Sequence, residues 1–264
     1  MVASFRDRIA FSRLFQRAHD AVVPARRNRN RFLGSFESFA AAEAAAPRKA
    51  RLGYDNAELA SWYRERLGRI QSEDYPVLFW LQRALADTRG IFDFGGHVGL
   101  HFFAFDPLLT WPAGSTWTVC DVPAVVEAGR RVASERGAPR ELRFTTRPED
   151  ADGADLFLAS GSLQYLPIGF LHDLLRRLSR PPKRLLINKL PLHPTVAYTT
   201  LQDTRASFHP YAVDSRPRWL SELGVLGYRA LGEWSNFEHD CRVSLRSELN
   251  VPEYSGFYLE RSGG

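Results

Sequence analysis

Two short apolar runs, each leading into an acid and joined through glycines, constrain this chain most. The first is Ile91-Phe-Asp-Phe-Gly-Gly-His-Val-Gly99 and the second is Thr116-Trp-Thr-Val-Cys-Asp121. A strand running into paired glycines, a helix opened by a third glycine and a second strand ending in a carboxylate form a unit suited to a nucleoside. Bare backbone approaches the ligand, and the second acid takes the ribose hydroxyls. A pyrophosphate-binding unit wants G-x-G-x-x-G, with the phosphates on the helix N-terminus. Here the order is Asp93-x-Gly95-Gly96-x-x-Gly99, which argues against a nicotinamide oxidoreductase. The plainer alternative is an ordinary strand-to-helix turn with solvated acids at the strand ends.

Asp93-x-Gly95-Gly96-x-x-Gly99 followed by Asp121 resembles motif I and the acidic strand end of class I S-adenosylmethionine-dependent methyltransferases. The resemblance implies a cofactor site at Asp93, Gly95, Gly96, His97, Gly99, Asp121 and Val122. Asp93 would orient the amino group of the methionine end, with His97 nearby. Gly95 and Gly96 would let the main chain pass under the ligand, where a Cβ would take its space. Gly99 would let the helix sit close on the sheet, and Asp121 would accept hydrogen bonds from both ribose hydroxyls. Asp121-Val-Pro-Ala-Val-Val is similar to the Asp-Leu-Pro segment of many small-molecule O-methyltransferases, and Pro123 suits a first helical turn. Asp155-Leu-Phe-Leu-Ala-Ser160-Gly-Ser-Leu-Gln-Tyr-Leu-Pro167 reads as the fourth strand and its loop, which in that family lies beside the donor methyl. Ser160, Gly161 and Ser162 therefore join the expected cofactor set. With Phe208-His-Pro-Tyr211, Leu223-Gly-Val-Leu-Gly-Tyr228 and Tyr254-Ser-Gly-Phe-Tyr-Leu-Glu-Arg261, the pattern resembles a bacterial family of methyltransferase-like proteins over about residues 32–261. The fold this implies is α/β and Rossmann-like: a mostly parallel sheet of order 3-2-1-4-5-7-6 with its last strand antiparallel.

Strands are expected at 91–94, 116–120, 141–145, 155–160 and 184–190, and helices at 97–105, 123–136 and 168–179. That alternation argues for a parallel sheet with right-handed crossovers. A helix at 216–226 and strands at 228–234, 240–246 and 255–260 complete it. Upstream, the alanine-rich stretch near 40–46, a helix capped by Asn56 and a helix from Asp74 to about Ala86 predict a helical extension over the active-site mouth. The expected organisation is a basic segment at 1–31, a helical extension at 32–88 and a cofactor-binding domain at 89–264. Pro191 to about Asp214 is too long for a simple connection and reads as a functional loop or lid.

Charge is unevenly placed. Residues 1–51 hold 11 Lys or Arg and 4 Asp or Glu, about +7, which leaves the remainder near −2. Phe5, Ile9, Leu14, Phe15, Ala18 and Val22 follow helical spacing among Arg6, Arg13 and Arg17. Such a helix could touch an acidic membrane as a peripheral contact, or pack on its own domain. The arginine-rich 26–31 stretch reads as a solvated linker. With no basic stripe elsewhere, nucleic acid is disfavoured as a partner. Cys120 and Cys241 match no metal spacing and read as buried thiols, which, with the lack of a secretion signal or spanning run, points to the cytoplasm. A dimer is compatible with the sequence but not specified by it.

Methyl transfer to a hydroxyl needs the acceptor's proton removed, so a histidine or carboxylate within reach is expected. His193 and His209 are the base candidates by location in the long loop, with Tyr211 beside them; each histidine adjoins a proline and could instead hold a turn. Tyr54, Gln164, Tyr165, Asn188, Tyr198 and Gln202 are candidates to line the acceptor site, although a strand-end amide such as Asn188 often serves backbone groups and Tyr54 could be core packing. His97 and His101 have i, i+4 spacing but lack the H-E-x-x-H glutamate and a third ligand, so no metal is expected. The Ala-Ser-Gly-Ser strand end also lacks the aspartate expected of magnesium-dependent catechol-type enzymes. The reading is metal-independent transfer of a methyl group from S-adenosylmethionine, yielding S-adenosylhomocysteine, to an oxygen of a small polar metabolite or glycan-type acceptor. Its alternatives are a small-molecule N-methyltransferase, an RNA methyltransferase and a non-catalytic S-adenosylmethionine-binding partner protein.

Overall fold

Apolar residues on both faces of successive short strands call for a sheet covered on both sides. The computed structural model describes residues 30–47, 66–138, 141–204 and 207–262. The expected N-terminal amphipathic helix, most of the 26–31 linker, Tyr54 and the helix capped by Asn56 lie outside these residues. The chain runs β1 (Arg31–Phe36), α1 (Phe39–Ala45), α2 (Tyr75–Ala84), β2 (Gly90–Phe94), α3 (Leu100–Phe105), β3 (Thr116–Cys120), α4 (Pro123–Glu135), β4 (Leu142–Thr145) and β5 (Leu156–Ser160). It continues through α5 (Phe170–Arg177), β6 (Arg184–Leu190), β7 (Leu192–His193), β8 (Tyr198–Asp203), β9 (Phe208–Ser215), α6 (Arg216–Val225), β10 (Tyr228–Asn236) and β11 (Tyr254–Arg261). Among the described residues, no helix is long and apolar enough to cross a membrane.

The main sheet has seven strands in the order β4-β3-β2-β5-β6-β11-β10. Counting only its own strands along the chain, this is the expected 3-2-1-4-5-7-6. The pairs among β2 to β6 are parallel. β11 runs antiparallel to both β6 and β10, so β10 points the same way as β6. The carboxyl ends of β2, β3, β5, β6 and β10 therefore share one edge.

Alternation along each strand divides the core. Ile91, Trp117, Val119, Leu156, Leu158 and Leu186 pack with Val77 and Leu81 of α2 and Phe102 and Phe105 of α3. The opposite face carries Phe92, Phe94, Phe157, Leu185 and Ile187 against Leu171, Leu174 and Leu175 of α5 and Trp219 and Leu223 of α6. Trp80 stacks on Tyr258 at 4.5 Å between centroids, fixing α2 over β11. The period-2 pattern also gives Asp93, Ser160 and Asn188 the same face as α2, at the carboxyl edge. Pro123 lies in the first turn of α4, as expected.

Two expectations are corrected. The segment after β6 is not a loop: β8 and β9 form an antiparallel hairpin, β1 adds antiparallel to β8, and β7 pairs parallel with β9. The result is a second sheet of order β1-β8-β9-β7, and the upstream extension opens with a strand. Every residue of β8 is buried, so no apolar–polar alternation marks it, and Pro210 within β9 argues against a strand in the sequence. Residues 240–246 form no strand; Cys241 and Val243 make isolated bridges to Val251 and Phe32. Phe32, Tyr198, Tyr211 and Val213 pack with Cys241, Val243, Val251 and Tyr254, with Tyr165 from the loop after β5 against them. This second layer therefore caps the carboxyl edge beside β5 and β6.

Candidate active site

The chain turns sharply where β2 ends. Gly95 has φ 71°, and its N–H donates to the Cys120 carbonyl at 2.7 Å, tying the bend to β3. A Cβ at Gly95 would lie 2.2 Å from Ser162 Cβ, and one at Gly96 would lie 2.3 Å from Asp93 Oδ2. The glycines are thus required by the protein's own atoms, the loop after β5 and the Asp93 carboxylate, rather than only by a ligand's space. Ser162 Oγ donates to the Phe94 carbonyl at 2.7 Å, locking the two loops together. Gly99 precedes α3 with φ 91°, and its nearest neighbour would sit at an ordinary 3.4 Å from a Cβ. Its backbone angle, more than its packing, accounts for the glycine.

Asp121 joins the ends of β2 and β3. Its Oδ2 accepts from the His97 N–H at 2.9 Å and its Oδ1 from the Val122 N–H at 2.8 Å. These two contacts orient the carboxylate. Asp93 is fully buried. Its Oδ2 accepts from Trp117 Nε1 at 3.2 Å and lies 3.5 Å from His101 Nδ1. Its Oδ1 is buried and has no hydrogen-bond partner among the described residues.

A charged chain that the sequence reading missed extends from Asp93 across the edge. His101 Nε2 lies 4.0 Å from Asp74 Oδ1, which lies 3.4 Å from Lys189 Nζ. Lys189 Nζ is 3.5 Å from Glu73 Oε1, and His239 Nε2 is 3.4 Å from the same oxygen. Asn188 anchors this chain to the sheet. Its Nδ2 donates to the Glu73 carbonyl at 3.0 Å and to Ser160 Oγ at 3.1 Å, and its Oδ1 accepts from Trp234 Nε1 at 2.9 Å and Asn236 Nδ2 at 3.1 Å. Gly161 N–H donates to the Asn188 carbonyl at 2.9 Å. Hydrogen bonding to His239, opposed by desolvation and aided by the Lys189 charge, holds Glu73 well below the usual carboxylate range. Burial disfavours a charged His101, but the carboxylates of Asp93 and Asp74 outweigh it and the net shift is upward.

The other expected site residues divide. His193 holds a turn: Nδ1 accepts from the N–H groups of Thr195 and Val196 at 3.2 and 3.1 Å, and Nε2 meets the Glu248 carbonyl at 3.0 Å. Both ring nitrogens serve the backbone, which is the alternative its neighbouring proline left open. His209 is buried in β9 with Nε2 2.6 Å from Ser207 Oγ. Tyr211 is buried, donates to the Tyr254 hydroxyl at 2.8 Å, and has its own hydroxyl pushed well above its ordinary value by burial. Tyr198 is buried with its hydroxyl on the Leu249 carbonyl, and Gln202 is buried in β8. Burial thus places His209, Tyr211, Tyr198 and Gln202 inside the cap rather than on its surface. Tyr165 lies edge-on to Tyr211 at 5.3 Å and to His209 at 6.0 Å. Gln164 lines a small cavity of about 30 Å³ with Pro191, His172 and Asp214.

Burial lowers His97 and His209 from 6.5 to about 4 each. Between those values an unfolded chain takes up protons that the folded chain refuses, so stability falls as pH drops through that window. The raised His101 acts oppositely: its contribution is whole below its unfolded value and fades as pH rises through the folded one. In urea unfolding, the parent is expected to lose more stability between pH 7 and 4.5 than His209→Gln, by about 1–2 kcal/mol. Equal losses in the two proteins would remove buried His209 as a cause.

No family model matches the chain, and no curated protein is similar to it. Among solved structures, it is similar to the CcbJ methyltransferase from Streptomyces caelestis, with a TM-score of 0.52 and 12% identity over 80% of this chain and 100% of that one. It is also similar to magnesium protoporphyrin IX methyltransferase (ChlM) from Synechocystis PCC 6803 with bound S-adenosylhomocysteine, with a TM-score of 0.50 and 14% identity over 79% and 95% of the two chains. The mitomycin 7-O-methyltransferase MmcR aligns with a TM-score of 0.45 and 18% identity over 71% of this chain, which spans about half, 54%, of that protein's length. The fold is the Rossmann-like one of class I S-adenosylmethionine-dependent methyltransferases: a mostly parallel seven-stranded sheet whose last strand is antiparallel.

Proposed function

We propose that this protein transfers a methyl group from S-adenosylmethionine to a hydroxyl of a small polar metabolite or glycan-type acceptor, without a metal. The observation that carries the reading is the junction at Asp121, where one carboxylate joins the glycine bend to the end of β3. Open α/β sheets take their ligands at this carboxyl edge. The residues fit the cofactor: the Asp121 carboxylate stands at the end of β3, where it would take the ribose hydroxyls, and the partnerless Oδ1 of Asp93 suits the donors of an amino group. Gly95, Gly96, His97 and Val122 would complete the cradle, with Ser160, Gly161 and Ser162 beside the donor methyl. When bound, the cofactor supplies an electrophilic methyl on a sulfonium. The protein's own task is to hold an acceptor in line with it and keep water out. The loop from Ser160 to Tyr165 would form one wall, and the second sheet, packed on Tyr165, would shield it. The S-adenosylhomocysteine in the Synechocystis structure supports the choice of ligand.

Calorimetric titration tests this. The parent is expected to bind S-adenosylhomocysteine and not NAD. Asp121→Ala is expected to weaken that binding by about 1–3 kcal/mol, the scale of charge-assisted hydrogen bonds. Unchanged affinity in the variant, or preference for NAD, would refute the assignment.

A further inference from the structure

Five of the six described histidines are committed. His172 meets the Trp219 carbonyl on the far face of the sheet, His193 holds its turn, and His209 is buried against Ser207. His101 lies between Asp93 and Asp74, and His97 is held neutral by burial on the glycine bend. His239 differs. Its side chain is 32% exposed, its Nε2 faces the Glu73 carboxylate, and its Nδ1 has no hydrogen-bond partner among the described residues. The ring stacks on Tyr254 at 5.6 Å with 22° between planes, which limits its rotation. His239 follows Asn236 by three residues, and its N–H donates to the Asn236 carbonyl. Asn236 and the Glu73 backbone both bond Asn188, which also holds Ser160. The imidazole is thereby fixed at the edge where β5, β6 and β10 end.

We propose that His239 is the base that removes the proton from the acceptor hydroxyl and that Glu73 positions it. The inference rests on the methyl-transfer reading. The neutral ring carries its proton on Nε2, directed at Glu73, and presents the Nδ1 lone pair to the acceptor. This is the arrangement of a base oriented by a third group. As the acceptor O–H bond breaks, its proton passes to Nδ1. The oxygen lone pair forms the new bond to the methyl carbon, and the carbon–sulfur pair remains on sulfur, giving S-adenosylhomocysteine and an imidazolium. Glu73 balances that imidazolium, while Lys189 on the other side of Glu73 keeps the carboxylate charged. The 3.4 Å separation is long for a hydrogen bond, as such contacts often are before the reacting complex forms.

Two readouts test the proposal. The first needs no acceptor: nitrogen NMR of the labelled full chain with S-adenosylhomocysteine. His239 is expected in the Nε2–H tautomer in the parent and as a mixture in Glu73→Gln. A parent ring protonated on Nδ1, or equal populations in both proteins, would overturn it. The second is transfer from S-adenosylmethionine to a phenol or a methyl glycoside as probe. His239→Ala is expected to lower kcat by about 10²–10⁴-fold with little change in KM for S-adenosylmethionine, the range of general-base catalysis. A variant that matches the parent's kcat while the parent binds S-adenosylhomocysteine removes the base and leaves the cofactor reading intact. A parent that does not bind it removes the cofactor reading itself.

Discussion

Gly96→Ala is expected to cost about 3–5 kcal/mol of folding stability, the range for breaking a buried charged contact. The added methyl would lie 2.3 Å from Asp93 Oδ2 and 2.4 Å from Asp93 Cγ. The carboxylate would have to swing away, leaving Trp117 Nε1 and His101 without the acceptor they share. The loss should be read in urea unfolding at pH 7, where a smooth two-state transition gives the difference directly. Cofactor affinity should fall with it, because the same carboxylate is the one proposed to take the cofactor's amino group. A variant within about 1 kcal/mol of the parent would mean that Asp93 has another place to go and that the bend is looser than described.

Asn188→Leu is expected to be of similar size, about 3–5 kcal/mol. The amide satisfies four polar groups at once, and each buried group left unpaired costs about 1–3 kcal/mol, with the sum reduced because neighbours re-pair. The four partners come from three places: the Glu73 carbonyl ahead of α2, Ser160 at the end of β5, and Trp234 and Asn236 on β10. Losing the hub should therefore do more than destabilise. The segment holding Glu73 should exchange its amide hydrogens faster than the centre of β6, and hydrogen-exchange mass spectrometry would detect this. Uniform exchange in parent and variant would show that the packing of Val77, Leu81 and Trp80 holds α2 in place without the amide.

The sheet was legible because its strands are short, apolar and separated by helices of ordinary length. Ile91–Phe94, Thr116–Cys120 and Leu156–Ser160 each end at a glycine or an acid, and their order followed from the resemblance. The cap was not legible. Tyr198-Thr-Thr-Leu-Gln-Asp203 shows no alternation because both of its faces are buried, and its polar groups are satisfied by partners distant in sequence, as when Thr200 Oγ1 bonds the Gly34 carbonyl at 2.8 Å. Placing His193 and His209 in a loop made them look available; as strand residues, they lose that freedom. The charged chain was invisible for a different reason. Glu73, Asp74, His101, Asn188, Lys189 and His239 share no spacing, and only the sheet order brings them together. Asp74 read simply as the start of a helix with Pro76 in its first turn.

Pairing β1 with β8 has a consequence for how the chain is made. Arg31 pairs with Asp203 across 172 positions, in backbone register and through an ion pair. On the ribosome, the outer strand is synthesised first and waits for its partner until most of the domain has emerged. Contacts closing so large a loop form late, so the cap should be the last part of the molecule to acquire native structure. Until then the hairpin of β8 and β9 presents an open edge, the kind of surface that recruits strands from other chains. Trimming the protein to begin after Phe36 would make that transient exposure permanent, and self-association would be its first symptom.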